Sequence, residues 1–323
     1  MSVRPRTGSK FVMHRLCFIL FLLAAGDQLT IAIDQQVDTG FNTHVARPAY
    51  AKNGPRVLYD EAHNNTDTSA GRYAPFCNLI TSDGYRVVPN NKRLSRELLA
   101  GTAVVVIVNP SGPEANKRLS PFTDAECDAV RDWVRSGGAL LLICDHAPFS
   151  TAASRIAERF DIDLTKGFTI DSIHHNKESE DETELVFSRE NGLLGQHPIT
   201  RGRDATEQIN RIITFSGTSI RGPAESVPFL KLAETAKDVF PYELKAGSTP
   251  EGPIPDARQA SAAGRAQGMA LVYGKGRVVV LGEAAMLTAQ VAARGFSFGM
   301  NVSGIDNRQL ALNIMHWLSG LLK

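Results

Sequence analysis

Four short polar segments each follow an apolar run: Asp60-Glu61-Ala62-His63-Asn64-Asn65, Asn109-Pro110-Ser111, Asp145-His146-Ala147-Pro148 and Gly282-Glu283-Ala284-Ala285. Imidazole with carboxylate is a ligand set for zinc or another divalent ion, which can activate water. The same groups without metal can exchange a proton as acid and base. Asp60, His63, Asp145 and His146 are therefore the candidate metal ligands and catalytic groups. Glu61 or Glu283 would act as base, and Asn64 or Asn109 would orient a substrate. Against this stands a plainer reading, because Asp and Asn commonly close turns and cap helices at strand ends. Cys144 is a third candidate, a thiol nucleophile if its pKa were lowered and inert packing if it is buried.

The elements around these segments must bring them together. Arg56–Tyr59, Tyr85–Pro89, Ala103–Val108 and Ala139–Cys144 read as strands. Tyr73–Ser82, Ser95–Ala100, the segment after Thr123 and Thr151–Phe160 read as helices. Thr123 with Glu126 forms a capping box, and Gly137 sits where that helix must end. Alternation of strand and helix with short links predicts a parallel sheet with right-handed crossovers. In a flavodoxin-like order the first, third and fourth strands are neighbours about 4.8 Å apart, so their tips would lie within roughly 10 Å.

Residues 165–240 read as an insertion with several short strands and an acidic loop at Glu178–Glu184, just after His174-His175. His197–Thr200 reads as a turn into a strand. Ala246–Gln267, rich in Pro, Gly and Ala, reads as a mobile loop. Met269–Tyr273 and Arg277–Leu281 around Gly274-Lys275-Gly276 predict a hairpin, and a last helix begins near Asp306.

Composition limits the partners. The chain has 323 residues, with 35 basic and 34 acidic groups. Arg4, Arg6, Lys10 and Arg15 precede residue 27, which leaves the remainder slightly acidic and without a basic footprint for nucleic acid. No glycine-rich loop follows the first strand, which argues against a nucleotide cofactor. The basic start followed by Leu16–Ala25 is the layout of a secretory signal over residues 1–26, and the run is short for a bilayer span. The expectation is an exported, periplasmic or secreted protein that meets a membrane only through that signal. Its ligand would be a small molecule or a glycan. Residues 27–53 read as an irregular lead-in, and 54–323 as one α/β domain. Cys77, Cys127 and Cys144 are too few and too widely spaced for a disulfide framework.

Arg56–His63, Leu140–Pro148, His197–Thr200 and Gly274–Glu283 together resemble exported bacterial domains of unknown function in the class I glutamine amidotransferase-like superfamily. The resemblance covers about residues 54–323. It implies a flavodoxin-like three-layer sandwich whose mostly parallel sheet is completed by the final hairpin. Glutaminase members set their Cys between glycines, whereas Leu142 and His146 flank Cys144 here. The late His-x-Glu is also missing, since Trp317-Leu318 follows His316. Glutamine hydrolysis is therefore not expected. Three readings remain: a metal-assisted or acid/base hydrolase, a non-catalytic module binding a glycan or other envelope component, and a Cys144 thiol hydrolase.

Overall fold

The computed structural model describes residues 35–323 apart from 52, 241–257 and 293–294. The expected signal, the first part of the lead-in and most of the expected mobile loop lie outside the described residues. The chain alternates strand and helix from the start of the domain. β1 is Arg56–Asp60, α1 Ala74–Ser82, β2 Arg86–Asn90, α2 Arg96–Leu99, β3 Val104–Val108, α3 Asp124–Arg135, β4 Ala139–Ile143 and α4 Phe149–Ala157. Each lies within two residues of where periodicity puts it, except that α4 ends at Ala157, three residues before the expected Phe160. β3 and β4 are buried at every position, which is why they read as unbroken apolar runs.

β5 (Asp163–Leu164), β6 (Ile220–Arg221), β7 (Val227–Lys231), β8 (Ala266–Tyr273) and β9 (Gly276–Leu281) complete the central sheet. α5 (Pro198–Arg201) and α6 (Asn307–Leu318) are the remaining helices. The strand order is β2-β1-β3-β4-β9-β8-β6-β5, with β7 also paired to β8. β2, β1, β3, β4 and β9 are mutually parallel, and Tyr59, Val106, Leu141 and Val279 lie side by side across the register. β8, β7, β6 and β5 join through antiparallel pairings. The sheet is thus mixed rather than mostly parallel. The sequence order of the first four strands and the final hairpin hold; what changes the balance is the strands the insertion adds beyond β8.

Helices cover both faces. Val57, Tyr59, Val106, Leu141 and Ile143 pack with α1 and α6. Leu58, Val105, Ile107, Leu140, Leu142 and Cys144 pack with α3 and α4. This follows from the period-two alternation of side chains along each strand. α3 is closed at its start by the Thr123–Glu126 capping box, an arrangement that typically stabilises a helix by about 1 kcal/mol. Gly137 follows it at φ +124°, and a side-chain carbon on Gly138 would strike the Trp133 ring.

The insertion forms parts of two small sheets, one from 168–170, 237–240 and 258–261, the other from 175–176, 181–188 and 211–213. Residues 258–261 and 266–267, expected in the mobile loop, are therefore strand. The lead-in is not wholly irregular either, because Gln36 and Val37 pair with Val291 and Gln290. His197 opens α5, not a strand. Its ring accepts from the Ile199 amide, and burial, then the charges of Arg201 and Arg277, push its pKa down to about 4.

Candidate functional site

The parity of each strand decides where its terminal side chain goes. Asp60 continues the alternation of Leu58 and turns to the α3 side of the sheet. There His63 Nδ1 lies 2.9 and 2.8 Å from the two Asp60 carboxylate oxygens, and Nε2 lies 3.0 Å from Glu126 Oε1. The His63 ring stacks on Phe122 with centroids 4.1 Å apart. Glu126 also accepts from Arg93 at 2.8 Å and from the Thr123 amide and hydroxyl. Asp60 is 0% and His63 1% exposed, so the set is sealed in the interior.

An imidazole with a carboxylate on each nitrogen is held as the cation. Burial alone would lower the His63 pKa, but the hydrogen bond and charge of Asp60, then those of Glu126, outweigh it and raise it above 6.5. Glu126 moves the other way. Burial would raise it, yet the Thr123 amide and hydroxyl and then His63 bring it down to about 2. The arrangement is that of a buried ionic pin between β1 and α3.

Asp145 sits on the opposite side. Its Oδ2 accepts from Asn109 Nδ2 at 2.8 Å, and its Oδ1 accepts from the Ala284 amide at 2.7 Å. Asn109 Nδ2 also donates to Asp67 Oδ2 at 2.8 Å, and Asn109 Oδ1 accepts from the Asp145 amide. Asn109 occupies φ +41°, a left-handed conformation that Asn tolerates better than most residues. Next to Asp145 lies the fully buried Glu283, whose oxygens accept from the Ala285, Met286 and Phe215 amides. The Tyr73 hydroxyl of the α1 face donates to the Ala284 carbonyl.

Burial, and then the charge of neighbouring Asp145, hold the Glu283 carboxyl well above the usual range. Burial likewise raises Asp145 and is only partly offset by His146 and the Asn109 hydrogen bond. Two carboxyls whose pKa values climb together at the carboxyl ends of adjacent strands mark a candidate site.

The expected foursome is therefore divided. Asp60 and His63 meet on the α3 side, whereas Asp145 meets Asn109 and the Ala284 amide, and His146 faces Phe168. Both His63 nitrogens are taken by carboxylates, and among the described residues no three His, Cys, Asp or Glu side chains are grouped to hold a metal ion. His146 is half-buried, with Nδ1 2.8 Å from the Ala147 carbonyl. Glu61 accepts from the Ser69 amide and hydroxyl, closing the loop it begins. Asn64 donates to the Ser111 carbonyl. Cys144 is fully buried beside Leu140 and Leu142, and burial pushes its thiol far up. It packs in the core. His174 and His175 both bond to Asp171.

Several site contacts carry no mark in the sequence. Asp67 meets Asn109, and Glu126 meets His63, across long stretches of intervening chain. Two half-buried aromatic pairs lie on the segments next to the Asp145 and Glu283 carboxyls. His146 and Phe168 meet edge to face at 6.4 Å, and Phe215 and Phe298 at 5.4 Å. The Thr169 amide donates to the Gly217 carbonyl, which joins the Phe168 strand to the Phe215 loop.

No protein-family model matches the sequence, and no curated protein matches it. Among solved structures, the mmIFT52 N-terminal domain has a similar fold, with a TM-score of 0.56 at 15% identity over 82% of this chain and 97% of that one. A GMP synthase-type protein from Thermoplasma acidophilum has a TM-score of 0.40 at 13% identity, over 83% of this chain and 96% of its own. A ThuA-like protein from Bacteroides uniformis has a TM-score of 0.36 at 14% identity, over 85% and 93%. The likeness to the mmIFT52 N-terminal domain, at this identity, is one of fold.

Proposed function

We propose that this chain is an exported glutamine amidotransferase-like domain of flavodoxin-like descent that binds a small polar envelope component without turning it over. The binding site is the rim beyond β4 and β9. One observation carries the reading: the imidazolium expected to serve chemistry is locked between Asp60 and Glu126 inside the protein, while half-buried Asp145 and His146 stay at the strand ends. The buried thiol and the buried pin leave a ligand to be held rather than attacked. Export rests on the basic start and the apolar run Leu16–Ala25. A thermal-shift screen of the protein against small polar compounds tests the site. The expected result is a set of stabilising compounds whose effect Asp145→Ala removes; compounds that stabilise both proteins equally would refute it.

A second reading is favoured by the raised carboxyls. Asp145 and Glu283 could share a proton and pass it to a leaving group, as acid/base pairs do in hydrolases. Turnover of chromogenic ester or glycoside substrates, abolished in Asp145→Asn, would support this reading over the first.

A further inference from the structure

We propose that the ligand is a hydroxyl-bearing ring, a sugar unit of a glycan, stacked on Phe215 and Phe298 with its hydroxyls donating to Asp145. This rests on the rim beyond β4 and β9 being the ligand site. Rings such as Tyr59, Phe76 and Phe229 are fully buried, whereas Phe168, Phe215 and Phe298 are half-buried. Phe215 and Phe298 meet at 61°, 5.4 Å apart, and the Phe215 amide donates to Glu283. The rings are therefore tied to the carboxylate pair.

A sugar has apolar C–H faces and a belt of hydroxyls. Aromatic faces bordering carboxylate acceptors complement both at once. Gln267 adds an independent sign. Thr214 donates to its Oε1 at 2.6 Å, which fixes the amide. Its Nε2 has no hydrogen-bond partner although the side chain is fully buried, and it abuts Gly217 where that residue packs on Glu283. A buried donor without a partner is costly, so this end of the sheet holds an unmet donor just beneath the rim. An anion is disfavoured by Asp67, Asp145 and Glu283: the charge of Asp67 helps raise Asp145, and that of Asp145 helps raise Glu283.

The test is calorimetric titration of the full chain with cellobiose, maltose and chitobiose, and with tetramethylammonium chloride as the cationic rival. At least one disaccharide should bind saturably. Phe215→Ala and Phe298→Ala should each weaken it by about tenfold. Phe298→Leu, which keeps apolar bulk but removes the ring, should weaken it too and so separates stacking from folding. Saturable binding by tetramethylammonium alone, no saturable disaccharide at millimolar concentration, or affinity indifferent to both phenylalanines overturns the proposal. If other polar compounds still stabilise the protein in an Asp145-dependent way, the site stands and only the ligand class falls. If none does, both fall.

Discussion

Replacing His63 with Ala removes the cation from between two buried carboxylates. In the native protein both ring nitrogens lie 2.8–3.0 Å from carboxylate oxygens, and Asp60 and Glu126 are 0% and 4% exposed. Breaking a buried charged set by removing one member costs about 3–5 kcal/mol, because it leaves unpaired charge in the interior. Loss of the Phe122 stack falls within that figure. For a domain of this size the cost corresponds to a fall in melting temperature of roughly 10 °C. The protein should still fold, since the loss is only part of a typical stability of about 5–15 kcal/mol.

The pH profile gives the more specific signature. The folded pKa of His63 is raised above 6.5. Its contribution to stability is therefore complete below 6.5 and is lost as pH rises through the folded value. Glu126, depressed from 4.5 to about 2, contributes above 4.5 and is lost as pH falls toward 2. Urea unfolding of wild type and His63→Ala from pH 5 to pH 9 tests the imidazole. The wild type should lose stability toward alkaline pH, and the variant should lack that component. A variant that melts within about 2 °C of wild type, or with the same alkaline slope, would show that the imidazole is neutral and the pin contributes little.

Three further outcomes follow from the same contacts. The raised pKa values of Asp145 and Glu283 mean that stability is complete below their ordinary values and lost as pH rises through the folded ones; Asp145→Asn in a His63→Ala background should flatten the slope that remains. An unchanged slope in that double variant would remove the carboxylate pair from the account. Thr123→Ala deletes the hydroxyl that accepts from the Glu126 amide and donates to its carboxylate, and should lower the unfolding free energy by about 1 kcal/mol in chemical denaturation. Iodoacetamide should leave Cys77, Cys127 and Cys144 unlabelled in the native protein and label all three in urea, because all are buried; rapid native labelling of Cys144 would reopen the thiol reading.

Local pattern makes much of the fold legible, but not the meeting of distant side chains. Unbroken runs such as Val104–Val108 and the Thr123–Glu126 box are written in consecutive residues, so β3 and α3 fall where they are expected. Parity is also readable: Cys144 shares its face with Leu140 and Leu142, which already argues against a nucleophile. What stays hidden depends on partners far apart in the chain. Glu126 can be read as a cap, but nothing local says that its other oxygen meets His63. Nor does anything local bring Phe215 to Phe298, or Phe168 to His146. The strands beyond β8 escape a sequence reading because β5 and β6 are two residues each, too short to show a period.

The mixed sheet itself explains where the rim lies. A purely parallel sheet would end at β9, and Glu283 would open to whatever helix followed. Here β8 turns back along β9, and the Gly282 amide donates to the Gln267 carbonyl while the Gly282 carbonyl accepts from the Thr218 amide. This draws the loop from Thr214 to Thr218 over the end of β9, and it fits only because Gly217 lacks a side chain that would strike Gly282 and Glu283. The parallel half thus contributes Asp67, Asn109, Asp145 and Glu283, and the antiparallel half brings Phe215 and Gln267 to them. The carboxylates are desolvated by strands of the insertion, not by the α/β core alone. A change that loosens the 214–218 loop, such as Gly217→Ala, should therefore return Asp145 and Glu283 toward ordinary carboxylate behaviour while leaving the His63 pin on the opposite face untouched.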